Sequence, residues 1–444
     1  MKYTGGDINR LGKRLSDSKG KHILDEDLDL LQAHRLSFTE PLFRVFKDLT
    51  QHKTRIERSA IIAFRLKRIS TIINKTIRKP QMQLNRMWDV AGIRIIFNNE
   101  TAVHKMLDII CKNYEVRGDI RDRFKNPKKI GYQAIHVYIT DALSSKVIEV
   151  QLRTRETHNW ATLVEITDVL YGTRLKEEGY ESDEEWGKFH QLVSSNKELE
   201  EDEANFLYKK LDKHDFISKL ADTFRKNTSI VKKQWQNVHH KDKYFLIELS
   251  SDSVPKLSSY SDYDKAEADY FNSYKKDEGA LIVLTSIDKP SFEQISIAYA
   301  NYILSYHKFI KDVQEILKEL AVEKLENHNF KEFRKIFRLY EDIQVNNIIN
   351  ILIERDDVLV KIEGVSLRLE SQSKISTKKR KEIRKQINDG IRSLINNHVK
   401  FMDEVNGVSK MLPFWALKTK TFLNKHEKRV DKRLKSIDLK FDKN

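Results

Sequence analysis

Apolar residues recur along the chain in two alternating rhythms. Over residues 39–76, Leu42, Phe43, Phe46, Leu49, Ile56, Ile61, Phe64, Leu66 and Ile69 fall mostly three and four apart, which predicts helix. The run "DVAGIRIIFNN" (89–99) is rich in Ile and Val and closes on a turn pair, the mark of a strand. Residues 100–112 return to helical spacing. Two more strands, 134–140 and 147–154, flank the short turn "DALSSK" and predict a hairpin. Residues 155–172 predict a helix that stops at Gly172.

Beyond Gly172 the pattern loosens. Residues 176–203 hold 11 Asp or Glu against 3 Lys, and a helical segment follows to about residue 235. "YFLIEL" (244–249) and "GALIVLTSI" (279–287) predict strands around a connection rich in Tyr and Asp, and residues 291–325 a strong helix. The pattern predicts an α+β fold: a small mixed sheet flanked by helices, a further β–β–α unit and an all-helical end. The expected divisions are an N-terminal segment over 1–38, a first α+β domain over 39–175 and an acidic, helical connection over 176–240. A small α+β domain over 241–320 and a helical region over 321–444 follow.

Composition narrows the partners. The formal net charge is +15, and residues 371–444 alone carry 20 Lys+Arg against 8 Asp+Glu, which favours an anionic partner such as RNA as readily as a solvated face. One cysteine, Cys111, permits no intrachain disulfide and suits a reducing, cytoplasmic setting. Its neighbours Ile109 and Ile110 predict a buried, structural thiol. No apolar run is long enough for a membrane span, and the first residues lack the apolar core of a signal peptide.

The middle of the chain holds the candidate chemistry. On the strand "VIEVQLRT", alternation places Glu149, Gln151 and Arg153 on one face, too polar for a core and suited to a lined cleft. Asp89 opens another strand, and two carboxylates on neighbouring strands are a common means of holding Mg²⁺ against phosphates, or of accepting a proton. Read as helix, Arg55, Arg65 and Arg68 fall on roughly one face. In "KNPKKIGYQAIHVYI" (125–139), Lys125 and Lys128 run into Gly131, Tyr132 and His136: charge for phosphates beside a flat ring for a base. Each residue also has a plain structural reading, Tyr132 and His136 as core and the arginines as a solvated face.

"RIERSAIIAFRLKR", "WDVAGIRIIF", "KNPKKIGYQAIHVYI" and "VIEVQLRTRETHNWATLVE" stand in that order, and the set resembles the synthetase domain of the RelA/SpoT family of alarmone synthetases. The resemblance covers about residues 39–172 and continues more loosely to about residue 312. It implies a nucleotidyltransferase-like fold and transfer of the β,γ-pyrophosphate of ATP to the ribose 3′-hydroxyl of GDP or GTP. It further implies Mg²⁺ at Asp89 and Glu149, with Glu149 completing the metal site or activating the hydroxyl. Arg55 and Arg94 would sandwich the adenine, and Arg65 and Arg68 would meet ATP phosphates. Lys125, Lys128 and His136 would contact substrate phosphates, Tyr132 would stack on the acceptor base, and Gln151 and Arg153 would line its pocket. No hydrolase domain is recognised, so synthesis is expected.

Three departures bear on the acceptor. Ile130 and Ala134 stand where the family commonly has Asn and Ser, and Glu165 comes one residue later after Trp160-Ala161 than in the long bifunctional enzymes. Two alternatives therefore accompany the alarmone reading. One is a toxin that pyrophosphorylates the tRNA 3′ end or adenosine nucleotides, restrained by an antitoxin or by its own C-terminal helices. The other is an inactive synthetase fold acting as a sensor or binding module for a trigger protein.

Overall fold

A computed structural model describes residues 3–127, 131–194, 200–213, 241–249, 254–277, 281–288, 290–299, 309–329 and 331–337. Isolated residues between 227 and 239 and short stretches after 337, including 385–396, are also described. Two units divide the chain. The first takes Met1–Lys210 and Asp222–Val313, the second Leu211–Ala221 and Gln314–Asn444.

The first unit is built on one sheet. Its strands are β1 (Ile61–Leu66), β2 (Ala91–Phe97), β3 (Glu115–Val116), β4 (Arg121–Asp122), β5 (Ile135–Thr140), β6 (Val147–Thr154), β7 (Tyr244–Leu249), β8 (Pro255–Tyr260) and β9 (Leu281–Ile287). The order across the sheet is β3-β5-β6-β2-β1-β9-β7-β8, with β4 also paired to β5. Among the described residues only β2 and β6 pair in parallel. The fold is thus mixed α+β, as the residue pattern predicted, and the expected β5–β6 hairpin is present.

Three features differ from the sequence reading. First, the expected helix over 39–76 is three elements: α3 (Thr39–Ile56), β1 and α4 (Ile69–Arg78). Ala60–Phe64 is buried at every position, on both faces of a central strand, so its apolar run has no period to distinguish it from helix. Second, the strands expected in a separate small domain at 241–320 extend this same sheet, because β9 pairs with β1 at Ala63↔Ile287 and Phe64↔Ser286. Third, Cys111 is exposed on α5 (Glu100–Asn113); burial falls on its neighbour Ile110.

The sheet's two faces do different work. Ile62, Phe64 and Leu66 of β1, Ile93 and Ile95 of β2, and Ile148, Val150 and Leu152 of β6 point into one core. Helices α1 (Gly5–Asp17), α2 (Asp25–Leu36), α3 and α5 cover that face, through residues such as Leu11, Leu31, Leu42, Leu49 and Met106. Each fully buried side chain of this size contributes about 1.5–3 kcal/mol. The opposite face is shared. Ile61, Ala63 and Ile96 pack with Phe245, Ile247, Val283 and Ile295, the last from α11 (Phe292–Ala298). Beside this second core, the polar positions of β2, β5 and β6 are left facing a cleft.

The elements not anticipated include α1, α2, β3, β4, β8 and α10 (Tyr263–Lys276), the last capped by the Asp262 side chain, while α8 (Glu184–Ser194) and α9 (Glu201–Lys213) lie in the acidic connection. Helix α6 (Arg155–Tyr171) begins with a capping box between Thr154 and Thr157. It ends at Gly172, whose φ of 65° is the left-handed conformation that glycine adopts without a Cβ penalty. In the second unit, residues 331–337 and 385–396 are helical; most of the predicted helical region at 321–444 lies outside the described residues.

Candidate active site

A cleft of about 660 Å³ opens on the polar face of the sheet. The register explains which side chains meet there. Ala63, Arg94, Gln151, His136 and Arg121 form one row across β1, β2, β6, β5 and β4; Arg65, Gly92, Glu149 and Tyr138 form the next. Residues paired across a ladder share a face, so the two rows build one polar floor. Helix α4 adds Thr71, Lys75 and Arg78 along one wall, and α6 adds Trp160, Val164 and Glu165.

Asp89 lies just before β2, with its two oxygens held by Lys67 Nζ at 3.0 Å and Lys75 Nζ at 2.6 Å. Burial opposes ionisation of Asp89, but the two ammonium groups outweigh it and hold the carboxyl below its ordinary value. Burial pushes Lys67 down in turn, despite Asp89. Glu149 accepts at Oε1 from His136 Nδ1 at 2.7 Å and at Oε2 from Gln151 Nε2 at 3.0 Å. Its burial is likewise overcome, by His136 and Gln151 first and Lys67 next, so its carboxyl sits well below the carboxylate range. Both carboxylates therefore face the cleft ionised.

A hydrogen-bonded chain runs on from Glu149. His136 Nε2 meets the Tyr132 hydroxyl at 2.7 Å, and Arg153 Nη2 donates to the same oxygen at 2.8 Å. Burial would raise Tyr132, but Arg153 and His136 bring its hydroxyl down to about 7. Burial would lower His136, but Tyr132 and Glu149 raise it to about 9. These neighbours favour the protonated imidazole, whose two nitrogens face Glu149 and Tyr132. The Tyr132 ring leans on Trp160, with centroids 6.1 Å apart.

Arg94 is half-buried, donates to the Ala298 carbonyl at 3.3 Å and lies near Arg153, Arg65 and Glu165. Burial and the two neighbouring guanidinium groups lower its pKa to about 10. Glu165 bonds Lys176 Nζ at 2.7 Å across the cleft mouth.

The cleft thus brings together nine of the predicted residues: Asp89, Glu149, Arg65, Arg68, Arg94, Tyr132, His136, Gln151 and Arg153. Arg65 and Arg68 reach it from β1 and from the start of α4, not from a shared helix face. Arg55 is exposed in the last turn of α3 and does not line the cleft, because that helix ends at Ile56, before the strand that carries Arg65. Lys125 is also outside the lining: its side chain is 73% exposed, 3.7 Å from Asp122. Lys128 lies outside the described residues.

Sequence reasoning missed Lys67 and Lys75, the partners of Asp89. Once "AFRLK" is a strand, Arg65 and Lys67 share a face by alternation, a signal that the helical reading concealed. Arg121, Arg123, Lys176, Leu281 and Tyr299 also line the cleft and were not singled out. Leu281 and Tyr299 arrive through the β9–β1 pairing, which no local pattern announces.

The comparisons with known proteins fall on this same stretch. Residues 64–175 match the family described as "Region found in RelA / SpoT proteins". Over those residues the chain is similar to a RelA/SpoT region. The match spans β1 to the start of α7 (Leu175–Glu178), and so contains every predicted cleft residue named above. Among curated relatives, the probable chloroplastic GTP diphosphokinase RSH2 of Arabidopsis thaliana is 31% identical over 99 residues, 22% of this chain and 14% of that protein. The guanosine-3′,5′-bis(diphosphate) 3′-pyrophosphohydrolase of Borreliella burgdorferi is 26% identical over 154 residues, 34% of this chain and 23% of that one. The chain therefore spans only about a seventh of the plant relatives it matches, 14%. Among solved structures, small alarmone synthetase 1 of Bacillus subtilis bound to its product pppGpp aligns over 36% of this chain and 88% of its own, at 22% identity and a TM-score of 0.30.

Proposed function

We propose that the cleft is the active site of an ATP-dependent pyrophosphokinase that acts on the ribose 3′-hydroxyl of GDP or GTP. The observation that carries this reading is the pair of ionised carboxylates, Asp89 and Glu149, on one floor edged by Arg65, Lys67, Arg68, Lys75 and Arg153. A surplus of fixed cations around two carboxylates suits a polyphosphate carried with a divalent ion. The RelA/SpoT region and the diphosphokinase names of relatives support the same reaction class.

In the reaction, the acceptor's 3′-oxygen attacks the β-phosphorus of ATP. The bond from the β-phosphorus to the α,β-bridging oxygen breaks, AMP leaves with that oxygen, and the hydroxyl proton passes by way of Glu149 to solvent. Mg²⁺ fits the donor set, since both carboxylates are ionised and such ions are commonly bound by one or two carboxylates plus substrate phosphates. Asp89 and Glu149 would hold it, and it would neutralise charge developing on the phosphates. Lys67 and Lys75, now spent on Asp89, are placed to turn to phosphates once that carboxylate takes a metal. Arg65 and Arg68 add to the donor-phosphate site, and Arg94 lines its base end.

Tyr132, backed by Trp160, offers the acceptor base a ring, and His136, Gln151 and Arg153 supply its polar neighbours. Glu149 is too acidic to retain a proton, which favours orienting the hydroxyl and holding the metal over storing the proton.

The test is direct. The full chain is incubated with γ-labelled ATP and Mg²⁺ plus GDP, GTP, ATP alone or deacylated tRNA, and the labelled product is identified. Label on GDP or GTP supports the reading. Label confined to tRNA or adenosine nucleotides moves the acceptor to the toxin alternative, and no transfer to any acceptor points to the sensor alternative.

A further inference from the structure

We infer that a buried ionic cluster outside the RelA/SpoT region, formed by Arg35, Glu267 and Tyr270, positions the donor-phosphate cations Lys67 and Arg68; the inference rests on the pyrophosphokinase reading. Arg35 comes from α2 and is 1% exposed, and Glu267 comes from α10 and is 3% exposed. The Arg35 guanidinium spans both Glu267 oxygens at 3.4 Å each, and Gln32 Nε2 and the Tyr263 hydroxyl donate to the same carboxylate at 3.1 and 3.0 Å. Its Cζ lies 4.6 Å from the centre of the Tyr270 ring.

Two contacts lead from this cluster to the cleft. Arg35 Nε donates to the Lys67 carbonyl at 2.8 Å, and the Tyr270 hydroxyl accepts from the Ile69 amide at 3.1 Å. They bracket Arg68, the residue between. Arg68 is the N-cap of α4, and it makes no side-chain capping bond. The Tyr270 hydroxyl therefore does the capping from another helix, satisfying the first amide of α4. The backbone of Lys67 is tied a second time, its amide donating to the Val90 carbonyl at 2.7 Å, next to Asp89.

A β1-to-α4 corner held by three hydrogen bonds, two on Lys67 and one on Ile69, has little freedom. It is also where the chain turns Lys67 toward Asp89 and Arg68 toward the cleft, and where it sets the axis that carries Lys75 and Arg78. A charged pair excluded from water on both sides is costly to build and rigid once complete. Neither Arg35 nor Glu267 lines the cleft, so the cluster acts through the corner it holds and not on substrate. Its effect should fall on the ATP side and spare the acceptor side, which hangs on β5, β6 and α6.

The test uses the full chain and Tyr270→Phe, which keeps the ring against Arg35 and removes only the capping oxygen. The KM values for ATP and for the acceptor are measured separately, with the Kd of α,β-methylene-ATP by calorimetry. A three- to tenfold rise in the KM for ATP and in that Kd is expected, with the acceptor KM unchanged. Arg35→Lys with Glu267 intact should behave alike or worse, on whatever fraction remains folded by circular dichroism. Loss of folded protein alone lowers the rate and leaves both KM values in place, so the split separates positioning from stability. Equal rises for both substrates, or an unchanged ATP side, overturn the inference while leaving the proposed function standing. If the unsubstituted protein binds no ATP analogue, both fall.

Discussion

Replacing Glu149 with glutamine removes one negative charge and little else. The amide is the same size, and its oxygen still accepts from His136 Nδ1, now 2.7 Å away. Gln151, whose Nε2 now donates at 3.0 Å, must flip its own amide so that Oε1 accepts from the new NH2 group. The hydrogen bonds survive in number and lose only their charge assistance, so the fold should lose about 1–2 kcal/mol. The chemistry should lose far more. A group that stabilises charge only in the transition state is worth roughly 3–4 kcal/mol, so transfer from γ-labelled ATP should fall about 10²–10³-fold. The variant carries its own control: Glu149 helps raise His136 to about 9, so the imidazole should titrate at lower pH in the variant, readable by NMR. A folded variant with a shifted His136 and more than a tenth of the original rate would refute the role given to Glu149.

Other outcomes follow from the same geometry. Tyr132→Phe keeps the ring and strips the oxygen shared by His136 and Arg153, so the acceptor KM should change by no more than a fewfold; Tyr132→Ala loses the stack, worth about 1–3 kcal/mol per base, and should raise that KM roughly 5- to 150-fold. Asp89→Asn should abolish Mg²⁺-dependent transfer without unfolding the chain, and full retention would remove Asp89 from the metal site. Burial holds His190 near 3 against an ordinary value of 6.5, so the unfolded chain binds the extra proton and stability falls with pH. From pH 7 to 5 that amounts to about 2 kcal/mol, and His190→Gln should flatten the urea-midpoint profile over that range. Gly172→Ala forces a Cβ into a left-handed position and should cost about 1–2 kcal/mol in thermal unfolding, although nothing lies within 4 Å to clash.

Much of the cleft's polar floor was legible because a strand's alternation is rigid. Glu149, Gln151 and Arg153 had to share a face, and they do, with Arg94 and His136 beside them in register. Asp89 was legible as a carboxylate at a strand's start. Arg55 lies off the cleft because α3 ends before β1; a strand buried on both faces has no hydrophobic period, so the residue pattern merges β1 with the helix and hides the alternation linking Arg65 to Lys67.

By itself, then, the sequence determined β2, α5, β5, β6 and α6 and the polar side of β6, because periodicity and caps act between near neighbours. The tertiary structure alone decided the rest. It added three strands from residues 244–287 to the same sheet, brought Lys67 and Lys75 onto Asp89, and set Arg35 of α2 against Glu267 of α10 behind the corner of α4. Those contacts join residues up to 232 positions apart, and no local rhythm encodes them. Ladder pairing and the burial of charge choose their partners in space, after the chain has closed on itself.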